Sequence, residues 1–174
     1  MLYAYRAQSN ALARLGVDAP LDEAQWIDLF RPLDKQEAQV TALGVSVPTL
    51  ADMEKIEISS RLFREDGVDY MTVVLPGQSI HKEPVAGPVT FILTSERLVT
   101  VRHHAPRPFE TFPERAGKSP LGTATPAHTL LGLTDEIIAR LADLMEAIGR
   151  TLDGLSLIVF SGDPERHREK LRDV

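Results

Sequence analysis

The chain has 174 residues, 43% of them hydrophobic and 25% charged, with a net charge of −6 at pH 7, the composition of one globular domain with its own core. It has no cysteine, which excludes disulfides, thiolate chemistry and cysteine-held zinc, and its acidic balance argues against nucleic acid, whose phosphates call for clustered Lys and Arg. No run approaches the roughly 20 apolar residues of a membrane span, and MLYAYRAQSN lacks the basic start and long apolar core of a signal peptide, so a soluble, cytoplasmic chain is expected.

LYAYRAQ (2–8) alternates Tyr with small residues and predicts a strand. QWIDLFRP (25–32) predicts another, stopped by Pro32. In DKQEAQVTALGV, Asp34 is placed to cap a helix, Glu37 to complete a capping box and Gly44 to close the helix. In VPTLADMEKIEIS, Thr49 is the next cap, and Leu50, Met53 and Ile56 form one apolar stripe with Glu54 and Glu57 between them. SSRLFRED (59–66) and DYMTVVLPG (69–77) predict two strands joined by the turn chemistry of EDG. QSIHKEPVAG (78–87) reads as a loop. PVTFILT (88–94) and RLVTVRHH (97–104) predict a hairpin in which Leu98, Thr100 and Arg102 alternate with Val99, Val101 and His103. FETFPERAGK predicts a short helix, and SPLGTATP (119–126) a flexible connection.

The strongest pattern comes last. Thr125 is placed as a cap and Pro126 as the first helical residue. Leu133, Ile137, Leu141, Leu144, Ile148, Leu152, Leu155 and Val159 then repeat at three and four, to about Phe160. At 1.5 Å per residue such a helix is about 50 Å long. It is expected to project and to need a second helix over its stripe. SGDP (161–164) breaks it, and ERHREKLRDV opens another helix that stops in mid-pattern, as in a piece of a longer protein.

Catalytic templates find no match. There is no GxSxG, no Gly-rich phosphate loop and no HExxH. Ser59 and Ser60 beside Glu57 outline a nucleophile with a base, but hydroxyls at a strand start ordinarily bond backbone. No catalytic residue is assigned and no enzyme is expected. His103 and His104 are adjacent on a strand and would face opposite ways, so they read as solvent or edge residues, and His81, His128 and His167 as surface residues. The stretch 52–69 sets Asp52, Glu54, Glu57, Glu65, Asp66 and Asp69 against Lys55, Arg61 and Arg64. It reads as an acidic patch for divalent cations or as a solvated helix face with local ion pairs. Magnesium keeps several waters and takes one or two carboxylates, so its sites leave little spacing signature. The residues alone lead to an α/β module of the interaction or sensor kind.

Taken together, WIDLFRP (26–32), VPTLADMEKIEISSRLFREDGVDYMTVVL (47–75), VTFILTSERLVTVRHHAPRPFETF (89–112) and LLGLTDEIIARLADLMEAIGRTLD (130–153) resemble the CorA family of divalent-cation transporters, including its ZntB-like branch. The resemblance covers about residues 1–172, the N-terminal cytoplasmic domain in that family. It implies an α/β (α+β) fold, an αβα sandwich with a mixed central sheet. The core would span residues 1–118. A long helical extension, 119–174, would lead toward a stalk and membrane region. It further implies a homopentamer at the inner membrane. The partners would be other copies, with the stalk and transmembrane segments of the same protein, and not nucleic acid. The cargo would be Mg²⁺, Co²⁺, Ni²⁺ or Zn²⁺. In the magnesium branch, ions bridge neighbouring subunits and hold the pore closed. Aligning Pro48 and YMTV without a gap puts Met53 where that branch has its sensing Asp, with Asp52 and Glu54 beside it. A thioether is a poor Mg²⁺ ligand. The resemblance therefore leans to the ZntB-like branch, with Asp52, Glu54 and Glu57 as candidate metal contacts and Mg²⁺ or Zn²⁺/Co²⁺ as a weak or regulatory ligand. The alternative is a stand-alone cytoplasmic metal-sensing or protein-interaction domain that binds through its long helix.

Overall fold

Alternating apolar residues build a seven-stranded sheet. Its strands are β1 (Leu2–Gln8), β2 (Ala11–Arg14), β3 (Trp26–Phe30), β4 (Leu62–Glu65), β5 (Val68–Gln78), β6 (Pro84–Leu93) and β7 (Leu98–Arg102), in spatial order β2-β1-β3-β7-β6-β5-β4. The helices are α1 (Asp34–Thr41), α2 (Leu50–Met53), α3 (Pro108–Arg115) and α4 (Pro126–Phe160). This computed structural model describes residues 1–9, 11–55, 61–118 and 122–160.

Neighbouring strands run antiparallel except β3 and β7, which are parallel with Trp26 opposite Leu98 and Phe30 opposite Arg102. The sheet is therefore mixed and the class α+β, as expected. Because side chains alternate along each strand, the register lines up two opposite faces. Ala4, Ile27, Val99, Ile92 and Tyr70 fall in one row. They join Val40 of α1 and Met53 of α2 in one core cluster. On the other face Trp26, fully buried, stacks on Tyr5 at 4.8 Å and meets Phe109 and Phe112 of α3 at 6.4 and 5.8 Å. The sheet thus has helices against both faces.

Local signals act largely as the sequence predicts. Asp66 and Gly67 both have positive φ, 47° and 83°, and Glu65 pairs with Val68, the two-residue hairpin loop that EDG specifies. The Thr49 hydroxyl accepts from Asp52 N–H while Asp52 Oδ2 accepts from Thr49 N–H, a reciprocal capping box. Thr125 accepts from His128 N–H at 3.2 Å and Pro126 opens α4.

Other elements differ from expectation. α1 begins one residue early: Leu33 is the cap and Asp34 the first helical residue, and the Gln36 amide oxygen accepts from Leu33 N–H. Asp34 instead places its charge at the positive end of the helix dipole. β2 was not anticipated. β6 begins at Pro84, so 84–87 is strand rather than loop. Beyond Val89, which pairs with Arg102, β6 has no β7 partner, and an open edge tolerates Pro84 and Pro88. α2 ends at Met53. Ile56 and Glu57 of the expected stripe, together with Ser59 and Ser60, lie outside the described residues, as do His167 and everything expected after Phe160.

The chain divides into two compact units, Met1–Glu136 and Ile137–Val174, and α4 runs through the boundary. In the first unit the opening turns of α4 bury Leu133 completely, and Thr129 accepts from the Gln25 amide at 3.1 Å. In the second, α4 exposes Ile138, Met145, Ile148, Leu152 and Leu157. None of the described helices is long and apolar enough to cross a membrane.

Candidate functional site

Asp52 is the third residue of α2 and Glu54 its C-terminal cap, both exposed, with Met53 between them buried in the core. The alternation follows from the helix: Met53 points at the sheet and its neighbours point away. Asp52 is already engaged. Its Oδ1 accepts from Lys55 Nζ at 2.8 Å, and its Oδ2 accepts from the Thr49 hydroxyl at 2.6 Å and from Thr49 N–H. The Lys55 and Thr49 bonds hold its pKa at about 2, so it is charged at every physiological pH. Glu54 is the C-terminal cap of the turn. Among the described residues no group of three or more His, Asp or Glu side chains converges as a metal cluster. Asp69 pairs with Arg64 at 3.5 Å. The structure thus leaves Asp52 and Glu54 exposed on the same short turn, two residues apart, and gives Asp52 a capping role.

His103 and His104 lie just past β7. His104 was expected at solvent or an edge; it is buried instead, with Nε2 2.8 Å from Leu75 O. It lodges beneath Gly77 and Gly87, which carry no Cβ to collide with the ring. Burial pushes the pKa of His104 down against the opposing Leu75 bond, and burial also lowers that of His103. His81 is exposed, and His128 is half-buried with Nδ1 2.7 Å from the Thr125 hydroxyl.

A second constellation was not anticipated. Asp28 and Arg102 lie in β3 and β7 with almost no exposure. Arg102 Nε donates to both Asp28 oxygens at 3.1 and 3.2 Å, Nη2 donates to Oδ2 at 2.8 Å, and Nη1 donates to His104 O at 3.2 Å. Trp26 Nε1 donates to the Thr100 hydroxyl, which donates to Asp28 Oδ1 at 2.8 Å. The Phe30 and Phe109 rings lie 4.3 and 4.9 Å from the guanidinium carbon. A desolvated ion pair survives only where hydrogen bonds such as these offset the lost hydration. Its one sequence signal is an acid inside WIDLF and a base ending LVTVR, each in an otherwise apolar strand.

This pair lines a cavity of about 500 Å³. Tyr3, Tyr5, Leu12 and Arg14 line it from β1 and β2, and Phe109, Glu110 and Glu114 from α3. Arg14 lies over the Tyr3 ring at 4.7 Å. Burial, aided by the Asp28 charge, raises the Tyr5 pKa and keeps its hydroxyl protonated. One residue past Glu110 and Glu114 along α3, the Thr111 hydroxyl and Arg115 Nη1 donate to Glu136 Oε1 of α4 at 2.9 and 2.8 Å.

A model of the CorA-like Mg²⁺ transporter protein family matches residues 22–174. The magnesium transport protein CorA of Escherichia coli is 31% identical over 165 residues, which are 93% of this chain and 52% of that protein. The magnesium transport protein CorA of Sodalis glossinidius is 32% identical over 168 residues, with the same coverage of each. The chain spans about half the length of the curated relatives it matches. The soluble domain of CorA from Methanocaldococcus jannaschii matches with a TM-score of 0.68 at 13% identity, over 98% of this chain and 69% of that one. The ZntB cytoplasmic domain from Vibrio parahaemolyticus matches with a TM-score of 0.65 at 12% identity, over 94% and 66%. These structural likenesses show the shared fold.

Proposed function

The chain belongs to the CorA-like Mg²⁺ transporter family, and on that premise we propose that it is the cytoplasmic domain of a divalent-cation transporter and regulates or supports transport of Mg²⁺, Co²⁺ or Zn²⁺. The observation that carries this reading is the family match over 22–174. The relatives are named as transporters, which supports a role without catalysis. In this reading the domain lies at the inner face of the membrane in a homopentamer. The exposed apolar residues of α4 (Ile138, Met145, Ile148, Leu152 and Leu157) suit cover by a stalk of the same protein. Asp52, Glu54 and Glu57 contribute charge to a weak, regulatory cation site that is completed by acids from a neighbouring subunit. Two exposed carboxylates on one turn suit a hydrated Mg²⁺ ion, which keeps most of its waters. Occupancy then biases a conformational equilibrium of the assembly.

The test is ion flux. The complete native reading frame that contains this chain, reconstituted in proteoliposomes, is expected to take up Mg²⁺, Co²⁺ or Zn²⁺. The triple variant Asp52→Asn/Glu54→Gln/Glu57→Gln is expected to shift the internal concentration at which uptake stops. Absence of uptake of all three ions would overturn the transporter reading. Uptake with unshifted inhibition would overturn the site alone.

A further inference from the structure

We propose that the cavity between α3 and the sheet binds a small zwitterion with an apolar body, the chemistry of a free amino acid with an aliphatic or aromatic side chain. The proposal goes beyond ion transport and rests on different residues from the cation site. The cavity's 500 Å³ is in the range of small-molecule sites, which combine apolar walls with a few placed polar groups. Tyr5, Leu12 and Phe109 supply those walls.

Charge selects the ligand. Arg102 is neutralised by Asp28 within the wall. That leaves Arg14 on the sheet side and Glu110 and Glu114 on the helix side. None of the three has an ion-pair partner among the described residues. Glu110 and Glu114 are four apart on α3 and share one face. A simple anion would face two carboxylates, and a simple cation would face Arg14. A ligand with a carboxylate for Arg14 and an ammonium for the glutamates meets both. Arg102, although buried, spends three of its five N–H donors on Asp28 and His104. The remaining two have no protein acceptor among the described residues and strengthen the anion-accepting side. The ring faces speak against an aromatic cage for an organic cation. Tyr3 already carries Arg14, and Phe30 and Phe109 carry Arg102. Occupancy would also fix α3, whose Thr111 and Arg115 hold Glu136 of α4.

The chain contains one tryptophan, and it stacks on Tyr5 at the cavity wall. Its fluorescence reports binding directly. The chain would be titrated with L-phenylalanine and L-leucine, and with the amine and the carboxylic acid that each becomes when one charge is removed. At least one amino acid is expected to give a saturable change, with both of its single-charge counterparts about tenfold weaker or more. Arg14→Gln is expected to erase the advantage over the amine, and Glu110→Gln/Glu114→Gln the advantage over the acid, with unchanged melting midpoints. No saturable change with any ligand, or an amine or acid as tight as its amino acid, would overturn the proposal on the unmodified chain. Discrimination that survives both variants would overturn the assigned residues.

Discussion

Arg102 and Asp28 grip each other across the parallel pairing of β3 with β7, Nη2 to Oδ2 at 2.8 Å, with both side chains under 5% exposed. Both charges are almost fully withdrawn from bulk solvent. Asp28→Asn leaves the guanidinium buried without its counter-charge and is expected to cost about 3–5 kcal/mol of stability, read from urea denaturation. Asp28→Asn combined with Arg102→Met should cost clearly less than the two single changes added together. Additive losses would mean that the two residues do not act as a pair.

The glycines over His104 give a graded test. A Cβ on Gly77 would lie 2.7 Å from His104 Cδ2 and 2.8 Å from the Ala105 carbonyl group, whereas one on Gly87 would lie 3.0 Å from His104 Nδ1. A ring can shift; a paired backbone cannot. Gly77→Ala should therefore destabilise by about 1–3 kcal/mol, and Gly87→Ala by less. Adding His104→Ala should relieve Gly87→Ala and leave most of the Gly77→Ala loss in place. Equal relief in both backgrounds, by thermal melting, would contradict the backbone argument.

Stability should fall on mild acidification. Burial holds His104 below its ordinary 6.5, against the Leu75 bond and together with Arg102, Arg31 and His103, and burial lowers His103 as well. Below pH 6.5 the unfolded chain therefore binds more protons than the folded one. The folded state keeps its full stability above that pH and loses it as the pH falls from 6.5 through the lowered folded values. The urea midpoint should drop between about pH 7.5 and about pH 5, above the ordinary carboxylate range. His103→Gln/His104→Gln should flatten that drop. An unchanged slope would assign it to other groups.

Where the chain is cut should decide whether the sheet survives. The first compact unit runs to Glu136 and includes Leu133 and Thr129 of α4. A chain ending at Glu136 is expected to fold cooperatively. One ending at Thr125 loses the buried Leu133 and the Gln25–Thr129 bond, and should be less stable by at least the 2–5 kcal/mol typical of a Leu→Ala core change. Equal urea midpoints for the two would show that the opening turns of α4 are dispensable.

The sequence makes elements legible where one local rule acts alone. β1, β3 and the β4–β5 turn follow from alternation and from Asp66-Gly67, and α4 from its three-four repeat and Thr125-Pro126. Rules that depend on neighbours stay hidden. β2 is four residues long, too short for alternation to register. Pro84 and Pro88 argue for a loop until β6 is seen to have an open edge there. The candidate sites divide in the same way. Asp52 and Glu54 are visible as acids, but the capping bond that occupies Asp52 is visible only in part, through Thr49 three residues before. The Asp28–Arg102 pair joins strands far apart in sequence, and no spacing announces it. His104 reads as a surface residue because its burial depends on two glycines in other strands.

The parallel pairing also sets a timetable for synthesis. β1, β2 and β3 close on one another locally, and so do β4 to β7, each strand antiparallel to the next. Among the described strands, only the β3–β7 seam joins the two groups, and it cannot form until Arg102 has left the ribosome. Until then a nascent chain carries the inner edge of β3 bare, with Ile27 and Leu29 uncovered, the kind of edge that pairs with other chains. The seam is a late, long-range closure, and its buried ion pair locks two antiparallel groups of strands that have already formed.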